Sequence, residues 1–152
     1  MDTTAQFLNV DLDIRSKTEL GPVLKDMGRR VAVMHSGPVG PRHLLAVETA
    51  RTYKNPDATV HALCEIVENL SPTACRLWNA AEKQFDIGYE IPPKMPASRF
   101  SLRPDTLLRV ARLGAALVVT HYVRKEVDRS PRSKSNLKNG AATLRASARA
   151  TA

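Results

Sequence analysis

Asp11 and Asp13 stand two apart in Leu8-Asn9-Val10-Asp11-Leu12-Asp13-Ile14-Arg15, an eight-residue run that alternates apolar and polar side chains. In a β-strand this spacing puts both carboxylates on one face. Two acids so placed can hold a cation, or act as acid and base in glycoside hydrolysis. Sugar chemistry also needs a cleft with stacking aromatics. The chain has one Trp, three Tyr and three Phe, and Trp78, Phe85 and Tyr89 are patterned inward. A second run, Phe85-Asp86-Ile87-Gly88-Tyr89-Glu90-Ile91, alternates in the same way. Asp11, Asp13, Asp86 and Glu90, with Asn9 among them, therefore predict a polar, acidic sheet face, suited to binding a protein.

Other chemistry-bearing residues do not assemble into a motif. His35 and His43 flank a short loop and His121 lies near the end of another β-prone run; histidine is the usual general base. No nucleophile elbow such as G-x-S-x-G accompanies them, so structural or surface roles are expected. His61 and Glu65 are spaced i, i+4, with Cys64 and Glu68 close by, but there is no H-E-x-x-H. An ordinary His–Glu pair is expected there rather than a metal site. The loop Gly37-Pro38-Val39-Gly40-Pro41 resembles a phosphate cradle only superficially, since each proline deletes an N–H and no Lys-Ser/Thr follows. Cys64 and Cys75, the only cysteines, read as two small buried hydrophobes in a reducing compartment. No catalytic set, cofactor or metal is expected.

The elements that must position these residues follow from pattern. Strands are expected over residues 8–15, 30–35, 43–49, 85–91 and 117–122. The middle pair forms a hairpin across the Gly- and Pro-rich loop. Ser16-Lys17-Thr18-Glu19 has capping-box spacing ahead of Leu20, Val23, Leu24 and Met27, although Pro22 makes the first turn irregular or moves the helix start to itself. Asn55-Pro56-Asp57 opens a helix with the stripe Val60, Leu63, Cys64, Val67 and Leu70. Ser71-Pro72 restarts it with Cys75, Leu77, Trp78 and Ala81. Arg103-Pro104-Asp105 opens the last helix, with Leu107, Leu108, Ala111 and Leu113. The order is β-α-β-β-α-β-α-β. It predicts an α+β fold: a mostly antiparallel sheet of about five strands, helices packed on one face, and a ferredoxin-like β-α-β-β-α-β core plus a final α-β.

The formal charge of +8 is unevenly spread. Residues 123–152 hold 8 of the 23 Lys and Arg but 2 of the 15 acids, so residues 1–122 read as one near-neutral α+β domain and 123–152 as a basic tail. The tail is poor in aliphatic residues and is expected to be disordered, with an Ala-rich end of helical propensity. Arg124, Lys125, Arg129, Arg132, Lys134 and Lys138 in it can neutralise phosphates. Met1 to Phe7 has no basic n-region or apolar h-region, and the longest run of apolar and glycine residues, Leu113 to Val119, is too short to span a bilayer. A cytoplasmic protein without membrane contact is expected.

The stretch Phe100-Ser101-Leu102-x-Pro104-x-x-Leu107, running into Leu113-Gly114-Ala115-Ala116-Leu117 and Tyr122, resembles small uncharacterised bacterial α+β domains. The resemblance covers about residues 7–122 and rests on apolar and turn positions. It implies the fold, and an association of such domains with toxin and immunity neighbourhoods. Together these readings predict a non-enzymatic protein-interaction domain. Its partner is another protein or a second copy of itself, and an immunity-like role is one version. The alternative is a weak nucleic-acid-binding protein acting through its tail.

Overall fold

The computed structural model describes residues 4–94 and 97–125. They form β1 (Gln6–Ser16), α1 (Gly21–Met27), β2 (Val31–Val39), β3 (Arg42–Thr49), α2 (Pro56–Glu68), α3 (Pro72–Ala80), β4 (Glu82–Ile91), α4 (Pro104–Arg112) and β5 (Ala116–Val123), with a 3-10 turn over Gly28–Arg30. The strands make one mixed sheet in the order β2-β3-β1-β4-β5. Three neighbouring pairs are antiparallel and β4–β5 is parallel. The fold is α+β with a mostly antiparallel sheet. No helix of the described residues is long and apolar enough to cross a membrane.

The alternation of β1 decides where the core lies. Val10, Leu12 and Ile14 are buried, and they join Leu45 and Val47 of β3 and Phe85 and Ile87 of β4 on one sheet face. Against that face pack Val23 and Met27 of α1, Val60, Leu63, Cys64 and Val67 of α2, Trp78 of α3 and Val110 of α4. The opposite face keeps the polar half of each alternating strand, the usual division for an antiparallel sheet with one dry side.

A proline stands in the first turn of every helix: Pro22, Pro56, Pro72 and Pro104. There its missing N–H costs nothing and its fixed φ favours helix entry. Asn55 and Ser71 cap α2 and α3, accepting from Ala58 N at 2.8 Å and Ala74 N at 3.4 Å. Two aspartates then tie helices together through backbone donors. Asp26 accepts from Ser71 N and Asp57 from Arg103 N, each at 2.8 Å. The Ser71 hydrogen bonds hold the Asp26 carboxyl below its ordinary range.

Several local expectations are corrected. Leu8 is exposed, because a bulge between Phe7 and Asn9 puts Phe7 opposite Tyr89 and Asn9 opposite Gly88. The extra residue reverses the parity of the strand, so Phe7 packs against the core in place of Leu8. No capping box forms at Ser16: it ends β1, and its hydroxyl accepts from Thr18 N at 3.1 Å, while α1 starts at Gly21. The hairpin is longer than the loop composition implies. β2 runs through Gly37-Pro38 to Val39, which pairs with Arg42 across a Gly40-Pro41 turn. Gly40 supplies the positive φ of 58° that such a turn requires, and Pro38 is tolerated because β2 is an edge strand. On α4, Leu107 and Leu108 are exposed, while Thr106 and Val110 face inward. Cys75 is exposed as well; burial and reduced-state packing apply to Cys64, whose thiol is pushed up to about 11 by desolvation.

Trp78 is the largest fully buried side chain. Its indole N–H donates to Leu113 O at 3.0 Å, and Lys83 Nζ, 5.4 Å from the ring centroid, donates to Trp78 O and Ala81 O. One residue thereby fastens α3 to the turn that leads into β5. Trp78→Ala is expected to cost about 3–5 kcal/mol of unfolding free energy, and Trp78→Phe about 1 kcal/mol for the lost hydrogen bond, as read by urea denaturation.

Candidate functional site

The polar face of the sheet is carried by its middle strands. β1 contributes Asn9, Asp11 and Asp13; β4 contributes Gln84, Asp86, Gly88 and Glu90, paired with β1 so that Asp11 lies opposite Asp86 and Asp13 opposite Gln84. β3 adds Glu48, a member that sequence reading left out. In the structure Leu45 and Val47 point inward, which turns Glu48 to the side of the acids.

Asn9 organises the group. Gly88 opposite it has no side chain, and a Cβ there would stand 2.6 Å from Asn9 Oδ1. The amide leans over this gap and donates from Nδ2 to Glu48 Oε1 at 2.6 Å and Asp11 Oδ1 at 3.3 Å. Asp13 accepts from Gln84 Nε2 at 3.4 Å, and Asp86 accepts from the Thr120 hydroxyl at 2.8 and 2.9 Å. Among the described residues no Lys or Arg makes an ion pair with Asp11, Asp13, Glu48 or Asp86. The acids answer one another instead. Asp11 is pushed up to about 6, first by desolvation, then by its hydrogen bond and charge interaction with Glu48, then by Asp13 and Asp86. A cation brought from outside would favour the ionised form of this carboxyl.

Of the four acids expected on this face, three come together. Glu90 lies further along β4 and is engaged by Arg124, whose Nη2 and Nε reach Glu90 Oε2 at 2.9 and 3.0 Å. Arg124 was read as part of the basic tail; it continues the sheet, with its N–H donating to Ile91 O at 2.8 Å. Lys125 is exposed. Arg129, Arg132, Lys134, Lys138 and the Ala-rich end lie outside the described residues.

The histidines do not converge. His35 pairs with Ala46 and His43 with Pro38, and the alternation of β3 puts these two registers on opposite faces. His121 is on β5, at the other edge of the sheet, in edge contact with Tyr89 at 6.3 Å. His61 forms the expected i, i+4 pair with Glu65 at 3.6 Å. It also meets Arg109 of α4, whose guanidinium grips Glu68 through two oxygens. That cluster clamps α4 to α2, holding the Glu68 carboxyl low and the Arg109 guanidinium high. Among the described residues no three His, Cys, Asp or Glu side chains are grouped to hold a metal ion. No family model matches the chain, and no curated protein or solved structure is found similar to it.

The raised Asp11 pKa has a definite sign in stability. The folded state binds a proton that the unfolded chain, with the ordinary 3.8, has released. This contribution favours folding at low pH and is lost as pH rises from about 4 through 6. The full linkage is about 3 kcal/mol, reduced to about 1 kcal/mol by solvent at this half-buried position. Asp11→Asn is therefore expected to stabilise the fold by about 1 kcal/mol at pH 8 and to leave pH 4 unchanged, as urea denaturation at both pH values would show. Gly88→Ala displaces the Asn9 amide from Glu48 and Asp11, and is expected to cost about 1 kcal/mol.

Proposed function

We propose that this protein is a non-enzymatic interaction domain acting in the cytoplasm, whose open sheet face docks onto a basic surface of another protein. The observation that carries this is the convergence of Asp11, Asp13, Glu48 and Asp86 on one sheet face without a Lys or Arg ion-paired to them among the described residues. Keeping four acids together costs electrostatic energy. A partner supplying Lys or Arg side chains recovers that cost and gains charge-assisted hydrogen bonds. An immunity-like role, in which the face covers a basic catalytic surface of a toxin, is the specific form this takes; self-association through the same face is the rival form. The order β2-β3-β1-β4, with every pair antiparallel, supports a ferredoxin-like reading of the first four strands, with α4 and β5 added at an edge.

The second reading, weak nucleic-acid binding through residues 123–152, is favoured by the concentration of 8 of the 23 basic residues there. It draws nothing from the open sheet face, whose acids repel phosphate.

Asp11→Lys, Asp13→Lys and Asp86→Lys combined would reverse the face. A partner recovered with the wild-type chain and identified by mass spectrometry is expected to bind the triple variant at least about a hundredfold more weakly. Binding by the wild type is also expected to weaken with salt and to release protons below pH 7. Equal affinity for the triple variant, in a chain whose far-ultraviolet circular dichroism is unchanged, overturns the sheet-face reading. Loss of self-association in sedimentation, without any other partner, assigns the face to a second copy.

A further inference from the structure

On the helix side of the sheet a cleft of about 530 Å³ is bounded by the 3-10 turn, the chain after β3 and the second half of α2. Four arginines line it: Arg29, Arg30 and Arg51 from two neighbouring chain segments, and Arg109 of α4. Ala50 N donates to Arg30 O at 2.9 Å, so the backbone of Arg29 and Arg30 runs beside that of Arg51. Arg29, Arg30 and Arg51 all contribute to the lining of the cleft.

Their partners are distributed unequally. Arg30 is fixed by carbonyls at the end of α1, with Nη2 donating to Asp26 O at 2.8 Å and Nε to Met27 O at 3.3 Å. The Arg51 guanidinium lies over the Tyr53 ring at 5.9 Å. Two acids also line the cleft, Glu65 and Glu68. Both are answered on their own wall: Glu68 by Arg109, and Glu65 by His61. Among the described residues neither Arg29 nor Arg51 has an ion pair with a carboxylate. The unmatched positive charge thus lines a concave surface.

We propose that this cleft is a binding site for a small phosphate-bearing anion, with Arg29 and Arg51 as its principal ligands and Arg30 as a fixed cation beside them. A guanidinium presents paired N–H donors whose spacing fits two phosphate oxygens. Three neighbouring cations repel each other until an anion enters. The volume lies within the range of small-molecule sites, about 300–1,000 Å³. That size exceeds a bare phosphate and admits a nucleotide, with the Tyr53 ring as an apolar surface in the cleft wall. Because the acidic face is on the other side of the sheet, the site stands or falls independently of the proposed protein docking.

The full chain is titrated by calorimetry with inorganic phosphate, with ADP and with a short DNA duplex, alongside Arg29→Gln/Arg51→Gln. Saturable binding of phosphate or ADP below about 5 mM, weakened at least about tenfold in the double variant with its melting temperature preserved, is the expected result. ADP binding more tightly than phosphate assigns the ligand to nucleotides; equal affinity assigns it to the phosphoryl group alone. No saturable binding of either small anion overturns the proposal, as does binding unchanged by the double variant. Binding of the duplex alone, equal in both chains, also overturns it and places nucleic-acid affinity elsewhere.

Discussion

The two-residue alternation of β1, held in the middle of the sheet, is the constraint on which the rest of the molecule depends. Leu12 pairs with Val47 on one side and Phe85 on the other, so both neighbours take their parity from this strand. Its inner residues anchor the core under α2 and α3. Its outer residues, Asn9, Asp11 and Asp13, occupy the centre of the opposite face. Core and acidic face are thus two consequences of one pattern. A single-residue slip would exchange them and bury three polar side chains. The bulge at Leu8 marks where that discipline ends, and Phe7 returns to the inner side only because of it.

Much of the architecture was legible because its signals are local. Alternating strands, proline-started helices and the cap residues Asn55 and Ser71 all lie within a few residues of the structure they specify. What escaped depended on tertiary partners. The bulge at Leu8 appears only when β4 is paired opposite it. The inward side of α4 could not be judged from Leu107 and Leu108, since Arg109 must face α2 to reach Glu68 and His61, which turns Thr106 and Val110 to the core. In consequence the buried Thr106 hydroxyl has no hydrogen-bond partner among the described residues. Gly37 and Pro38 read as loop residues, yet an edge strand accommodates both.

The candidate sites divide the same way. Asp11, Asp13 and Asp86 were foreseen together because each lies on an alternating strand and needs only pairing to meet. Glu48 was not, since His43-Leu44-Leu45-Ala46-Val47-Glu48-Thr49 has four consecutive aliphatic residues that blur its parity. The arginine cleft had no sequence signature. Arg29 and Arg51 come from segments 22 positions apart in number, joined by one backbone hydrogen bond from Ala50. Whether His35 and His43 meet turns on a similar detail, the register of the hairpin, which sets them on opposite faces.

The central place of β1 also has a kinetic meaning. Phe85, its partner in the register with Leu12, follows it by more than seventy residues, roughly 4–15 s of synthesis at ordinary ribosomal rates. Throughout that interval the strand destined for the middle of the sheet has an open edge, the situation that most invites pairing with another chain. Asp11 and Asp13, spaced between the aliphatic residues, repel a second copy of the same strand in register. The carboxylates of the finished face therefore also act as gatekeepers for the nascent chain, guarding it until its proper neighbours exist.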